Sequence, residues 1–350
     1  MSDLRIIFPV GLALILPAGP ASGDDAASSA REVLTTLPYC SGYTPAEKDT
    51  GVKVWDRKRS APGWNFYVPG HRPAAYLIDM EGDVLHQWSL DYNRLWPARR
   101  PVDHWRKAFL FDNGDILAIY EGPWGALVKL DRTSRPIWSY TGLCPHGGPH
   151  HDLDLAPDGK IFVLTSRRIT DRDYKGISMK GPFMEDYITV LSPEGKVIRS
   201  FSLIEAFQGS AYEHFLKSMR KAGDIFHTNT LKILRGPGVA ETGIFSPGGL
   251  MISIPHMDTI AVIDPETEKV VWALAEGWDA QHQPTLLDNG NILLFDNKGN
   301  DGNSRVIEIE PVSGGIEIGR ASCRAGGLSG STGGIRPTVF SPRPAAPISG

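Results

Sequence analysis

Four residues far apart in the chain share one register. Arg106 stands eight positions before Gly114, His151 eight before Gly159 and His282 eight before Gly290, while His227 opens a longer segment that leads to Gly248. Imidazoles gathered at one place can serve as nucleophile, general acid and general base, because their protonation changes near neutral pH. His104 precedes Arg106 by two residues and Asn229 follows His227 by two. Period-two alternation then predicts each pair on one side of its strand. Asn229 is expected either to orient an imidazole or to donate an amide N–H to an anion, against the plainer reading of an ordinary turn hydrogen bond. In the run His146-Gly147-Gly148-Pro149-His150-His151, no carboxylate or cysteine stands at zinc-site spacing, so no metal is expected. No P-loop, G-x-S-x-G elbow or dinucleotide fingerprint occurs, and no cofactor is expected.

These residues need elements that bring them together, and the chain repeats one. Asp112-Asn113-Gly114-Asp115, Pro157-Asp158-Gly159-Lys160, Ser246-Pro247-Gly248-Gly249 and Asp288-Asn289-Gly290-Asn291 each precede an apolar run. Asn-Gly and Asp-Gly are strong hairpin signals. Second strands are predicted over Leu127–Asp131, Ile188–Ser192, Thr259–Asp264 and Val306–Glu310. Closing strands with an aromatic residue follow at Trp138, Phe201 and Trp272. An earlier fragment, Tyr76 to Trp88, shows only the last two elements. The unit is a small antiparallel sheet used about five times, and radial repetition of such sheets is an all-β propeller. Trp88, Trp138 and Trp272 are expected to pack between blades. Their innermost strands would line a channel in which His151, His227, His282 and Arg106 converge. Tyr212, Phe215, Leu216 and Met219 at helical spacing predict an amphipathic helix inserted within 205–222, as a lid.

Composition leaves function to a site of this kind. Among 350 residues, 36 Lys and Arg oppose 40 Asp and Glu for a net charge of −4, so no footprint for nucleic acid or an acidic membrane surface is present. Arg5, the apolar run Ile6 to Ala18 and Ala21-Ser22-Gly23 read as a secretory signal over 1–23, and the apolar run is too short for a comfortable membrane span. A periplasmic or secreted protein is expected, and in such a compartment Cys40 and Cys144 could pair. Residues 24–61 form an N-terminal extension, and 62–316 the propeller domain. Residues 317–350 read as a disordered or non-native tail, since Glu317 to Arg324 looks like a translated sequencing adaptor. That reading makes Cys323 non-native and leaves a last blade missing.

Ala280-Gln281-His282-Gln283, His227-Thr228-Asn229 and His150-His151-Asp152, together with the turns that follow them, resemble the PAPS-independent bacterial arylsulfotransferase family. The resemblance runs from about Pro62 to Pro311 and implies a six-bladed propeller. It also implies ping-pong transfer of a sulfuryl group from a phenolic sulfate ester to a phenolic acceptor, with family members able to dimerise. His282 matches the nucleophile, His227 and Asn229 its supporting pair, and His151 a further histidine at the sulfate. Where the family has an arginine before a histidine, this chain has Pro255 before His256. Blade geometry offers Arg106, or in second place Lys107, for the missing charge, with His104 and His256 beside the substrate. The competing expectations are a non-catalytic propeller that binds an anionic ligand or a protein, and a metal-dependent hydrolase.

Overall fold

The computed structural model describes residues 52–319 apart from 53, 71, 97–103, 121–124, 142–146, 171–176 and 300–302. The stretch 1–23 expected to be a secretory signal, Cys40, Cys144, Cys323 and the chain beyond 319 lie outside the described residues.

Apolar runs and turn signals resolve into five antiparallel sheets, arranged as five blades of a β-propeller. Blade one holds β1 (Asn65–Tyr67), β2 (Ala74–Ile78) and β3 (Val84–Ser89); its β1 is a strand that the repeat pattern did not predict. Blade two holds β4 (Trp105–Leu110), β5 (Ile116–Tyr120), β6 (Ala126–Leu130) and β7 (Pro136–Thr141). Blade three holds β8 (Gly148–Leu155), β9 (Ile161–Ile169), β10 (Phe183–Leu191) and β11 (Val197–Ser202), with the two-residue β12 (Gly223–Asp224) pairing in parallel with β10. Blade four runs β13 (Thr230–Ile233), β14 (Leu250–Ile254), β15 (Thr259–Asp264), β16 (Lys269–Leu274). Blade five runs β17 (His282–Leu286), β18 (Ile292–Asp296), β19 (Arg305–Ile309), β20 (Ile316–Gly319). A sixth blade is not found among the described residues. Pairing of Val306 with Gly319 carries β20 three residues past the expected end of the propeller at 316.

The hairpin turns form as their residues dictate: Gly159 and Gly290 take φ of +82° and +85°, a region open to glycine and closed to most side chains. Four apolar clusters lie between successive blades. Trp88, Trp105 and Tyr120 fill the first, and Leu117, Leu153 and Val163 the second. Ile188, Leu231 and Ile252 fill the third, and Val262, Ile292 and Ile307 the fourth. Each pair of successive sheets thus buries its facing sides against one another.

A polar latch repeats around the ring. One outer-strand side chain of each of blades one to four reaches the last turn of the next. The His86 ring donates to the Arg132 carbonyl at 2.7 Å, Trp138 to that of Pro193 at 3.0 Å and Trp272 to that of Pro311 at 3.2 Å. Arg199 uses Glu268 in the same way at 3.3 Å. Trp88 instead donates to Gly114 in the first turn of the following blade, at 2.9 Å.

The predicted inserted helix does not form. In its place are α1 (Leu203–Phe207), capped by Ser202, and a 3-10 turn at Glu213–Lys217. Leu216 and Met219 still bury against the third cluster. Gly209 and Ser210 separate α1 from the 3-10 turn, and the spaced residues bury without helical continuity. Among the described residues no helix is long and apolar enough to cross a membrane.

If the latches hold the blades in register, Trp138→Phe and Trp272→Phe keep ring burial and lose one hydrogen bond each. Each is expected to lower stability by about 1 kcal/mol, read as a fall in urea midpoint with unchanged m-value.

Candidate active site

The innermost strands depart from regular pairing where the chemical residues stand. Register shifts fall between Trp105 and Lys107 in β4, between Pro149 and Leu153 in β8, and between His282 and Thr285 in β17. Bulges re-aim side chains, so Arg106, His150, His151 and His282 leave the simple alternation. His151 is therefore in mid-strand and does not open its strand as counting predicted, whereas His282 does open β17. His104 lies just before β4, and the bulge breaks the alternation that would have set it beside Arg106.

Among the described residues seven non-glycine residues have positive φ, and four belong here: His151, His227, Ala280 and Gln283, between +46° and +54°. Such conformations cost about 1–3 kcal/mol each and persist where surrounding bonds over-determine them. For His227, Ala280 and Gln283 those bonds are present. Asp258 Oδ1 accepts from the Ala280 amide at 2.9 Å, and Asp224 Oδ1 from the His227 amide at 3.0 Å. Asn229 Nδ2 donates to the Gln281 carbonyl at 3.0 Å, while Thr230 Oγ1 donates to Asn229 Oδ1 and accepts from the Gln283 amide at 3.1 Å. The buried, mutually bonded Asn229 and Thr230 thus grip the main chain on the two sides of His282.

The predicted imidazoles come together. The His151 and His227 rings lie 4.8 Å apart edge to face, and His227 stacks on His256 at 4.9 Å. His150 joins them, its Nδ1 sharing a hydrogen bond with that of His151 at 2.9 Å. His282 lies within electrostatic reach of Arg106, His151 and His227. Its Nδ1–H donates to the Ala280 carbonyl at 3.0 Å. A carbonyl only accepts, so the lone pair of this ring is on Nε2. Burial, with the charges of Arg106, His151 and His227, pushes His282 down to about 4 against the opposing Ala280 bond. His256 is pushed down to about 4 as well, by burial first and then by His227 and Arg220 against the pull of Asp224.

Sequence reasoning missed two carboxylates. Asp224 binds the His227 ring through Oδ2 and Nδ1. The His227 bond and charge hold Asp224 below the usual carboxylate range, although burial acts the other way. The pattern Asp224-Ile225-Phe226-His227 was the available signal. Asp186 is buried 3.6 Å from His150 Nε2 and accepts the Thr228 amide at 2.9 Å. Burial, then Asp224, pushes Asp186 up to about 7. No local sequence pattern marks it, since β10 lies remote from the histidines along the chain.

Lys107 donates to Asp152, and Lys232 pairs with the same carboxylate across 3.7 Å, so Lys107 already has a carboxylate partner. Donor atoms of Asp224, His227 and His256 lie within 4.8 Å of one another, a carboxylate beside two imidazoles that spacing did not predict. Their nearest atoms hydrogen-bond each other: His227 Nδ1 with the Asp224 carboxylate, and His256 Nδ1 with the Asp224 carbonyl at 2.8 Å. The trio is thus a closed hydrogen-bonded cluster.

A family model described as Arylsulfotransferase (ASST) matches residues 107–318. The chain belongs to the arylsulfotransferase family. The matched span takes in His151, His227, Asn229, His256 and His282, so the imidazole cluster of this arylsulfotransferase-family chain lies wholly inside it, and Arg106 stands one residue before it. None of the curated proteins matches the chain. Among solved structures, a Bacteroides caccae protein of unknown function is similar at 13% identity and a TM-score of 0.45, covering 74% of this chain and 73% of that one. A catalytically inactive virginiamycin B lyase from Staphylococcus aureus, crystallised with quinupristin, is similar at 12% identity and a TM-score of 0.44, covering 79% and 74%.

The folded state keeps His282 and His256 neutral, whereas the unfolded chain takes up protons below about 6.5. Stability present above pH 6.5 is therefore lost as pH falls through about 4. Asp186 has the opposite sign: the stability it contributes is present below 3.8 and lost as pH rises through about 7. His256→Asn is expected to remove on the order of 2 kcal/mol of the acid-side loss, and Asp186→Asn to flatten the decline between pH 4 and 7. Urea melts across that range read both.

Proposed function

We propose that this chain is a PAPS-independent aryl sulfotransferase that carries the sulfuryl group on His282. The observation that supports the reading most directly is the state of His282, a neutral imidazole at pH 7 with its Nδ1–H bonded to the Ala280 carbonyl.

In the first half-reaction the Nε2 lone pair attacks sulfur, the bond from sulfur to the aryl oxygen breaks, and the phenolate leaves with its electrons. Protonated His227 gives that oxygen a proton and becomes neutral. The ring of His282, now sulfated on Nε2, gains positive charge. Its bond to the Ala280 carbonyl strengthens as that charge develops, which is stabilisation directed at the transition state. In the second half-reaction an acceptor phenol gives its proton to His227 and its oxygen attacks sulfur. The bond from nitrogen to sulfur breaks, and both imidazoles return to their starting states. His151, against His227, faces the sulfuryl oxygens in this scheme, and Asn229 positions the strand that carries His282. With Pro255 buried at the position of the family arginine, Arg106 supplies the cation, its charge already felt at His282. The proposal includes a small-molecule aryl sulfate donor, a phenolic acceptor, and an exported, periplasmic or secreted protein, as the N-terminal residues led us to expect.

Pro255 also favours a second reading, a propeller that binds an anionic ligand without turnover. Incubation with p-nitrophenyl sulfate and a phenol separates the two. Sulfotransfer predicts release of nitrophenol and a sulfate label on His282 by mass spectrometry, both abolished in His282→Asn. Arg106→Ala is expected to lower turnover by about 10²–10³-fold. Ligand binding without label or release would leave the binding-only reading.

A further inference from the structure

We infer that Asp224 is a positioning residue that holds His227 in the tautomer protonated on Nδ1, so that Nε2 is the atom that exchanges protons with substrate. The inference rests on the reaction proposed above for its catalytic consequence, and on geometry alone for the tautomer.

Both carboxylate oxygens of Asp224 are assigned by what they meet. Oδ1 accepts from the His227 main-chain amide at 3.0 Å, and Oδ2 meets the Nδ1 of the same residue. An ionised carboxylate only accepts, so Nδ1 must carry the hydrogen. The segment that presents Asp224 is fixed in turn. β12 pairs Met184 with Asp224 in parallel, and the Gly223 amide donates to the Pro182 carbonyl at 2.9 Å. The main-chain carbonyl of Asp224 accepts from His256 Nδ1 at 2.8 Å. One residue therefore orients two stacked imidazoles the same way. The Nε2 of His256 is buried and has no hydrogen-bond partner among the described residues.

The groups facing His227 come from every neighbouring element. These are His151 on β8, Asp186 on β10, His256 on the 3-10 turn after β14, and His282 on β17. Asp224, on β12, is the residue whose carboxylate meets the ring at Nδ1. A carboxylate that fixes a histidine tautomer makes a large kinetic difference when the other nitrogen must alternate between acid and base.

Asp224→Asn separates this role from simple support. The His227 amide needs an acceptor, so the carboxamide oxygen takes the place of Oδ1 and the NH2 group is aimed at Nδ1. That nitrogen must then accept, and the ring hydrogen moves to Nε2.

The test is long-range proton–nitrogen correlation spectroscopy on the full chain with labelled histidine, His227 being assigned from the signal absent in His227→Gln. In the unsubstituted protein neutral His227 is expected as the Nδ1–H form; finding the Nε2–H form overturns the inference without need of any Asp224 variant. In Asp224→Asn the ring is expected to switch to Nε2–H, with sulfotransfer down by about 10²–10⁴-fold. An unswitched tautomer, or turnover within threefold of the parent, overturns it equally. An Nδ1–H ring in a protein that moves no sulfate would leave Asp224's placement standing and reject the proposed reaction instead.

Discussion

The inner edge of each blade is the constraint on which the site depends. An innermost strand has a neighbour on one side only, and its outward amides have no partner within the sheet. Between blades three and four that deficit is met by side chains. Asp152 Oδ2 accepts from Leu231 at 3.0 Å and Asp154 Oδ2 from Ile233 at 2.8 Å, two residues apart on each strand. The same carboxylates accept from Leu153 and Leu155 through their Oδ1 atoms, both at 2.8 Å. Each acid thus bridges its own strand to the next blade. Buried carboxylates must themselves be compensated. Lys107 of blade two and Lys232 of blade four flank Asp152, and Arg235 binds Asp154 at 2.7 Å. Blades two, three and four are tied at one point, immediately beside His151.

A fixed edge permits irregularity next to it. Bulges in β4, β8 and β17 would cost ladder bonds in an isolated sheet. At β17 the cross-blade bonds of Asn229, Thr230 and Asp258 recover them, and Ala280 and Gln283 keep positive φ because their amides are held. Strain and chemistry coincide because a regular strand would send alternate side chains into the blade interfaces.

The imidazoles differ in chemistry through what each Nδ1 meets. His282 meets a main-chain carbonyl, which fixes a hydrogen on Nδ1 and adds little opposing charge, so burial dominates and the ring is neutral. His227 meets the carboxylate of Asp224, an acceptor that fixes the Nδ1 hydrogen and the ring's orientation. His150 and His151 share one hydrogen between two Nδ1 atoms, so one donates where the other accepts. Identical side chains a few ångströms apart thereby present different nitrogens, which is the basis of the separate roles proposed for them.

Much of this was legible in the residues themselves. Turn dipeptides and apolar runs marked most strands of the blades because hairpin chemistry is local, and equal spacing from turn glycines singled out His151, His282 and Arg106. β1 escaped because three residues carry no periodicity. The inserted helix was misread because spacing reports which side chains bury, and a 3-10 turn can bury Leu216 and Met219 as well as a helix can. Asp224 stands three residues before His227 and was within reach of a local pattern, whereas Asp186 was not: its partners His150 and Thr228 are remote along the chain, and an acid in a sequence does not disclose whether it will be solvated or enclosed. The sequence by itself determined the repeat and the residue types gathered at its inner strands, since both depend on local pattern. Tertiary structure alone decided which nitrogen of each imidazole holds a hydrogen, because that depends on the one acceptor a folded chain brings within bonding distance.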